Sequence, residues 1–180
     1  MPPGSFNELE NLLIEYEPIF RKSRADLGNC TVKEHKIDLE QGAVPWKEGP
    51  RRMTPLKTEK AKEEVRELIR LGLIEPSYSP WACGIVMAKK KCNQLRMCCD
   101  FRNLNAQTVK DAFPLPRVDE CFARLGNAKF FTALDIASAF WQIPLRPGDW
   151  YKTDFACALG LFQWKVMAYG SCNGPRRSSE

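Results

Sequence analysis

Two stretches hold the side chains whose types and spacing could do chemistry. In FFTALDIASAFWQIPL, residues 130–145, one carboxylate, Asp135, closes a run of aromatic and β-favouring residues. The small Ser138 and Ala139 follow it, then Phe140 and Trp141. Read locally, 130–134 is a short buried strand. A carboxylate closing such a strand sits where the chain turns. There it is a helix cap, a solvated turn residue or a metal ligand. The second stretch is Lys89-Lys90-Lys91, with Arg96 just beyond it. It forms the polar tip between two apolar runs. Focused positive charge on a hairpin tip either solubilises the tip or grips phosphate.

The elements that must position these groups can be read from period and punctuation. Residues 83–88 and 95–101 have strand character and flank the lysines as a β-hairpin. Thr54-Pro55 reads as an N-cap with proline at the first helical position. Ala61, Val65, Leu68 and Ile69 follow as one apolar stripe, and Gly72 ends the helix. Lys60/Glu64, Glu63/Arg66 and Glu67/Arg70 pair on its wet face, which marks a solvated surface rather than a binding patch. A capping box at Ser5–Glu8 predicts an amphipathic helix over 6–16, stopping before Pro18. Residues 18–55 read as irregular, with a strand at 35–39. Val118, Phe122 and Leu125 mark a short helix closed by Gly126. Pro147-Gly148-Asp149 is a turn. Residues 153–157 and the alternating Phe162, Trp164 and Val166 make a second hairpin around Gly160. Antiparallel hairpins mixed with single helices place the chain in the α+β class.

Composition narrows the functions available. At 180 residues and 44% hydrophobic, the chain can bury a core as one domain or slightly more. Its 27 Lys and Arg against 22 Asp and Glu permit nucleic acid as a partner without demonstrating it. Eight cysteines and one histidine, His35, contain no C-x2-C spacing, so a zinc knuckle is not supported. Adjacent Cys98 and Cys99 point to opposite faces of a strand, which suits packing, and the thiols read as reduced. No G-x4-G-K and no RNP-type aromatic signature occur, which argues against a P-loop enzyme and an RNA-recognition module. No run approaches ~18 apolar residues and no signal-like start is seen, so the expected setting is intracellular and off the membrane.

Several blocks together resemble the reverse transcriptase of gypsy-type LTR retrotransposons, a relative of retroviral polymerases. They are LIEPSYSPWACGIVMAKKK, LRMCCDFRNLNAQTVKDAFPLPRVDE, LGNAKFFTALDIASAFWQIPL, YKTDF and VMAYGSCNGP, in the family's order and spacing. DLGNCTVKEHKIDL, residues 26–39, also resembles the segment that joins protease to polymerase in such polyproteins. The resemblance implies a right-hand polymerase with fingers and a partial palm. It divides the chain into a connecting extension (1–50), fingers (51–110), a palm strand with flanking helices (111–143), further fingers (144–170) and a divergent palm end (171–180).

The resemblance also assigns roles. Asp135 matches the first catalytic aspartate, and Asp135 and Ile136 match the metal-binding positions of a centre that uses two Mg²⁺ ions. Lys90 and Arg96 match the residues that grip the incoming triphosphate. Ser138 and Ala139 are small enough for backbone N–H groups to approach phosphate. Phe140 matches the ring under the sugar that excludes a 2′-hydroxyl. Tyr169 and Gly170 match the element beside the nucleotide pocket, and Asp100 and Arg102 the residues that brace fingers and template. The implied partners are an RNA template, a DNA primer and a dNTP.

Departures accompany these matches. The family's Tyr-x-Asp-Asp turn is absent, and MAYGSCNGPRRSSE replaces its usual MPFGLxNAPxxFQ. The expectation is therefore a polymerase piece that does not polymerise alone, with its Asp135 strand loosely held. A non-catalytic module binding RNA or an RNA–DNA hybrid, and a remnant without function, are the competing readings. Metal-dependent primer extension and salt-dependent binding separate the three.

Overall fold

The computed structural model describes residues 5–89, 95–112, 117–126 and 128–174. One five-stranded sheet organises them, in the order β1-β5-β4-β2-β3. The strands are β1 (Ile74–Pro76), β2 (Cys83–Lys89), β3 (Leu95–Cys99), β4 (Phe155–Cys157) and β5 (Gly160–Trp164). Both expected hairpins form. β2 and β3 pair antiparallel from Ile85↔Cys99 to Lys89↔Leu95. The tip itself, with Lys90 and Lys91, lies outside the described residues. β4 and β5 pair from Phe155↔Phe162 to Cys157↔Gly160, and Gly160 supplies the positive φ of 126° that the tight loop needs. A parallel contact, Cys83↔Phe155, joins the two hairpins into one sheet, and Ile74↔Trp164 adds β1 at the edge.

Helix α2 (Pro55–Arg70) covers this sheet with Ala61, Val65 and Leu68. Its end is a hydrogen-bonded left-handed cap. The Leu73 N–H donates to the Leu68 carbonyl (3.0 Å) and the Gly72 N–H to that of Ile69 (2.9 Å), with Gly72 at φ 70°. Ile69, expected on the apolar stripe, is exposed instead. The Glu67–Arg70 pair forms, but Lys60 pairs with Glu63, because Glu64 is taken by Arg24 from outside the helix. The wet face of α2 is thus not wholly solvent. The core beneath joins Val65, Leu68, Ile85, Leu145, Phe155 and Trp164. The anticipated strand at 35–39 is reduced to two isolated bridges, His35↔Leu145 and Leu39↔Thr108.

Three expectations need correction. Residues 130–134 do not form a strand. They run irregularly with Phe130 65% and Leu134 76% exposed. A strand must share its N–H and C=O groups with a neighbour, and no described strand pairs with this run. Helices α1 (Ser5–Glu15) and α4 (Val118–Leu125) do form, but their apolar stripes, including Leu13 and Phe122, face outward rather than into a core. Thr153 belongs to a 3₁₀ turn over Pro147–Thr153, not to β4, and its hydroxyl accepts from the Trp164 N–H. The short helix α3 (Arg102–Ala106) follows β3 and was not anticipated. The described cysteines are all thiols, and no group of three His, Cys, Asp or Glu among the described residues is placed to hold a metal.

Candidate nucleotide site

Three separate elements meet at one cleft of about 450 Å³. The first is β3, which contributes Arg96. The second is the turn after Asp135. Ser138 there is the one described non-glycine residue with positive φ (54°), and a 3₁₀ turn, Ala139–Gln142, follows at once. A left-handed residue followed by a right-handed one aims successive N–H groups to the same side, a concavity suited to anions. No described group accepts from the Ser138 or Ala139 N–H. Left-handed serine is strained, by about 1 kcal/mol or more, and such strain collects at functional turns.

The third element is the loop carrying Tyr169 and Gly170. Gly170 has φ 101°, and a Cβ there would lie 3.5 Å from the Cys99 carbonyl oxygen, so the loop lies close on β3. Asn105 of α3 pins it from the side, donating to the Gly170 carbonyl (2.8 Å) and accepting from the Cys172 N–H (3.0 Å). Asn173 adds a further tie to the Val109 carbonyl (2.9 Å). Tyr169 then meets Phe140 edge-on at 5.0 Å and Trp141 at 5.7 Å, and the Arg96 guanidinium sits 5.8 Å above its ring. Arg96, Ser138, Ala139, Phe140, Tyr169 and Gly170 are therefore brought together. Lys90 lies outside the described residues.

Asp100 and Arg102 form a separate cluster. The Asp100 carboxylate takes Arg102 at 2.6 Å and Arg51 at 2.7 Å, and Arg51 also pairs with Glu48 at 2.5 Å. The Arg102 guanidinium foremost, with Arg51 behind it and against some burial, holds the Asp100 carboxyl well below the usual carboxylate range. Gly84 makes room for the cluster, since a Cβ there would meet Arg51 Nε at 2.6 Å. Nothing in the residue pattern around Arg51 marks it as part of this cluster.

Asp135 and Ile136 are exposed, beside a hollow of about 270 Å³ that they share with Arg21, Asp26 and Gln142. The described residues do not fit a centre of two divalent ions. Oxygen ligands from several carboxylates are needed against the repulsion of the ions, and Asp135 shares its hollow with Asp26 alone, short of a group of three ligands among the described residues. Asp149 and Asp154 cannot supply it. Asp149 is fully buried under Arg146, Lys152 and the Ile37 N–H. Burial works to raise its carboxyl, but those partners outweigh it and hold the carboxyl low. Asp154 is buried with neither oxygen hydrogen-bonded.

Sequence reasoning missed the groups from the N-terminal segment. Arg21 and Arg24 both line the 450 Å³ cleft. The basic run Arg21-Lys22-Ser23-Arg24 was the one available signal, in a segment read as irregular. Arg24 stacks 5.6 Å from the Trp141 ring and pairs with Glu64, whose hydrogen bonds hold its guanidinium charged.

Comparison with known proteins identifies the family and the fold. A sequence family described as reverse transcriptase (RNA-dependent DNA polymerase) matches residues 87–178. The chain is 32% identical, over 97% of its length, to the retrovirus-related Pol polyprotein from transposon opus of Drosophila melanogaster, and spans 18% of that polyprotein. In three dimensions it matches the prototype foamy virus protease-reverse transcriptase at a TM-score of 0.81 and 21% identity, covering 97% of this chain and 24% of that one. It also matches the foamy viral protease-reverse transcriptase in complex with an RNA/DNA hybrid, at a TM-score of 0.78 and 17% identity, covering 99% of this chain and 24% of that one.

Proposed function

The chain belongs to the reverse transcriptase (RNA-dependent DNA polymerase) family, and from that premise we propose that it is the fingers and first palm portion of an RNA-directed DNA polymerase, with the cleft as its dNTP site. One observation carries the reading. Arg96, the Ser138 turn and Tyr169 come from three distant stretches and converge on one concavity whose charge, exposed N–H groups and aromatic floor suit a nucleoside triphosphate. In-line phosphoryl transfer asks the protein mainly for positioning and for neutralising charge. Here Arg96 faces the triphosphate, a task that the family resemblance gives to Lys90 as well. The Ser138 and Ala139 N–H groups take its oxygens. The Phe140 ring, backed edge-on by Tyr169, lies under the sugar where a 2′-hydroxyl would strike it. The Asp100–Arg102 pair braces the fingers, with the Arg102 side chain reaching solvent toward the template.

The foamy viral enzyme binds an RNA/DNA hybrid, and the same partner is carried to this chain as part of the proposal. Reverse transcriptases in general use Mg²⁺. Asp135, with Ile136 beside it, would offer one carboxylate to such an ion, and the described residues gather no group of three ligands around it. The 180-residue chain is therefore expected to bind nucleotide and hybrid without extending a primer. The test is binding of Mg²⁺·dTTP to the chain, followed by tryptophan fluorescence, and primer extension on an RNA template with Mg²⁺. The reading expects binding that Arg96→Gln weakens about tenfold or more. It is defeated by dTTP binding that ignores Arg96, and extension that Asp135→Asn abolishes would defeat the expected silence of the site.

A further inference from the structure

The segment ahead of the fingers runs across the cleft and is fixed on both sides of it. The Cys30 N–H donates to the Gln142 carbonyl at 2.7 Å. Gly28 passes so close to the Gln142 side chain that a Cβ would lie 2.6 Å from Oε1. Leu27 packs on the core, and Arg24 is clamped by Glu64. Just ahead of these anchors Arg21 is held by the backbone of its own segment. Its Nε donates to the Ser23 carbonyl (2.6 Å) and Nη2 to that of Arg24 (2.9 Å). The third nitrogen, Nη1, reaches the Ser138 hydroxyl at 3.0 Å, at the turn with the open N–H groups.

Charge balance separates the three guanidiniums in this cleft. Arg24 is neutralised by Glu64. Arg21 and Arg96 have no carboxylate partner among the described residues. A guanidinium carries five N–H donors, so three bonds leave Arg21 with donors to spare, already oriented. An unpaired cation held rigid at the rim of an anion-shaped turn is preorganised to receive phosphate.

We infer that Arg21 is a further ligand for the triphosphate of the incoming nucleotide, delivered into the cleft by the segment that precedes the fingers. The inference rests on the nucleotide reading of the cleft and names a residue that reading does not need. Phosphate oxygens would take the spare N–H groups of Arg21 from one side while Arg96 closes from β3. The segment would then be an integral wall of the site and not a tether.

The experiment uses the full 180-residue chain, with inorganic tripolyphosphate and dTTP as probes at fixed low salt. The variants are Arg21→Gln, Arg21→Lys, Arg96→Gln, and Arg117→Gln as a remote control for the loss of one charge. The expected result is a roughly tenfold to hundredfold loss of affinity for both probes in Arg21→Gln. Arg21→Lys should recover part of it, and Arg117→Gln should match the wild type. A second measurement needs no variant, because bound tripolyphosphate should slow tryptic cleavage after Lys22 and Arg24. Binding lost in Arg96→Gln but unchanged in Arg21→Gln overturns the inference and leaves the nucleotide site standing. Tighter binding in Arg21→Gln, or faster cleavage with ligand, shows that the segment blocks the cleft and overturns it too. Loss confined to a single-stranded oligonucleotide, with tripolyphosphate unaffected, gives Arg21 to nucleic acid and also overturns it. Failure of the wild type to bind either probe removes the inference and the nucleotide reading together.

Discussion

Asp154 should make this fold less stable as the pH rises from 4 to 7. Its carboxyl is 1% exposed, and neither oxygen has a hydrogen-bond partner. Burial pushes its pKa from 3.8 up to about 6, the polar groups of Ser77 and Ser79 offsetting only a part. A group with a raised pKa binds its proton better in the folded state. Its contribution is therefore complete below the unfolded value near 4 and is lost as the pH climbs through about 6. The shift is roughly two units at ~1.4 kcal/mol each, so the loss approaches about 3 kcal/mol by neutral pH. Asp154→Asn keeps the shape and removes the titration. Urea unfolding followed by tryptophan fluorescence, at steps from pH 4 to 7.5, should show the wild type losing about 3 kcal/mol that the variant keeps. Asp100 and Asp149 do not confuse the window, because their carboxyls are held low and their contributions are lost only as the pH falls below about 4. Parallel stability curves for wild type and variant would refute the reasoning, and would mean that water or a moved partner solvates the carboxylate.

Asp100→Asn should cost about 1–2 kcal/mol at pH 7, since it strips partners from Arg51 and Arg102. The difference from wild type should shrink as the pH falls below about 4, read as the shift in urea midpoint. Gly84→Val should cost about 1–3 kcal/mol in the same assay, because the new side chain drives into Arg51 and Glu48, and Gly84→Ala should cost less. Phe140→Val should narrow the preference for dTTP over UTP at the cleft, measured as the ratio of their dissociation constants, with an unchanged ratio counting against the ring's place under the sugar. Tripling the change at the tip, Lys89→Ala with Lys90→Ala and Lys91→Ala, should weaken RNA–DNA hybrid binding and flatten its salt dependence, and an unchanged salt slope would remove the tip from the interface.

The sequence by itself determined what depends on neighbours in the chain. The β2–β3 and β4–β5 hairpins, and α2 with its Gly72 cap, follow from residue period and from turn and cap chemistry, all settled within a few residues. The residues of the proposed nucleotide cleft were also legible, because Arg96, Ser138, Phe140 and Tyr169 stand in blocks that resemble those of the family. Tertiary structure alone decided what depends on company. The apolar run 130–134 has every local mark of a strand, yet it stays irregular because β pairing needs a second backbone. Asp149 and Asp154 look alike in sequence as acidic residues near turns. One is held ionised by Arg146 and Lys152 and the other is pushed toward neutrality by burial, a difference made wholly by what packs around them. Arg21 gave almost no signal, since its segment has no period and its partner, Ser138, lies 117 positions away. Folding brings the two within hydrogen-bond reach because Arg24 is fastened to Glu64 of α2 while Gly28 and Cys30 lie against Gln142, and no local pattern encodes two such distant anchors at once.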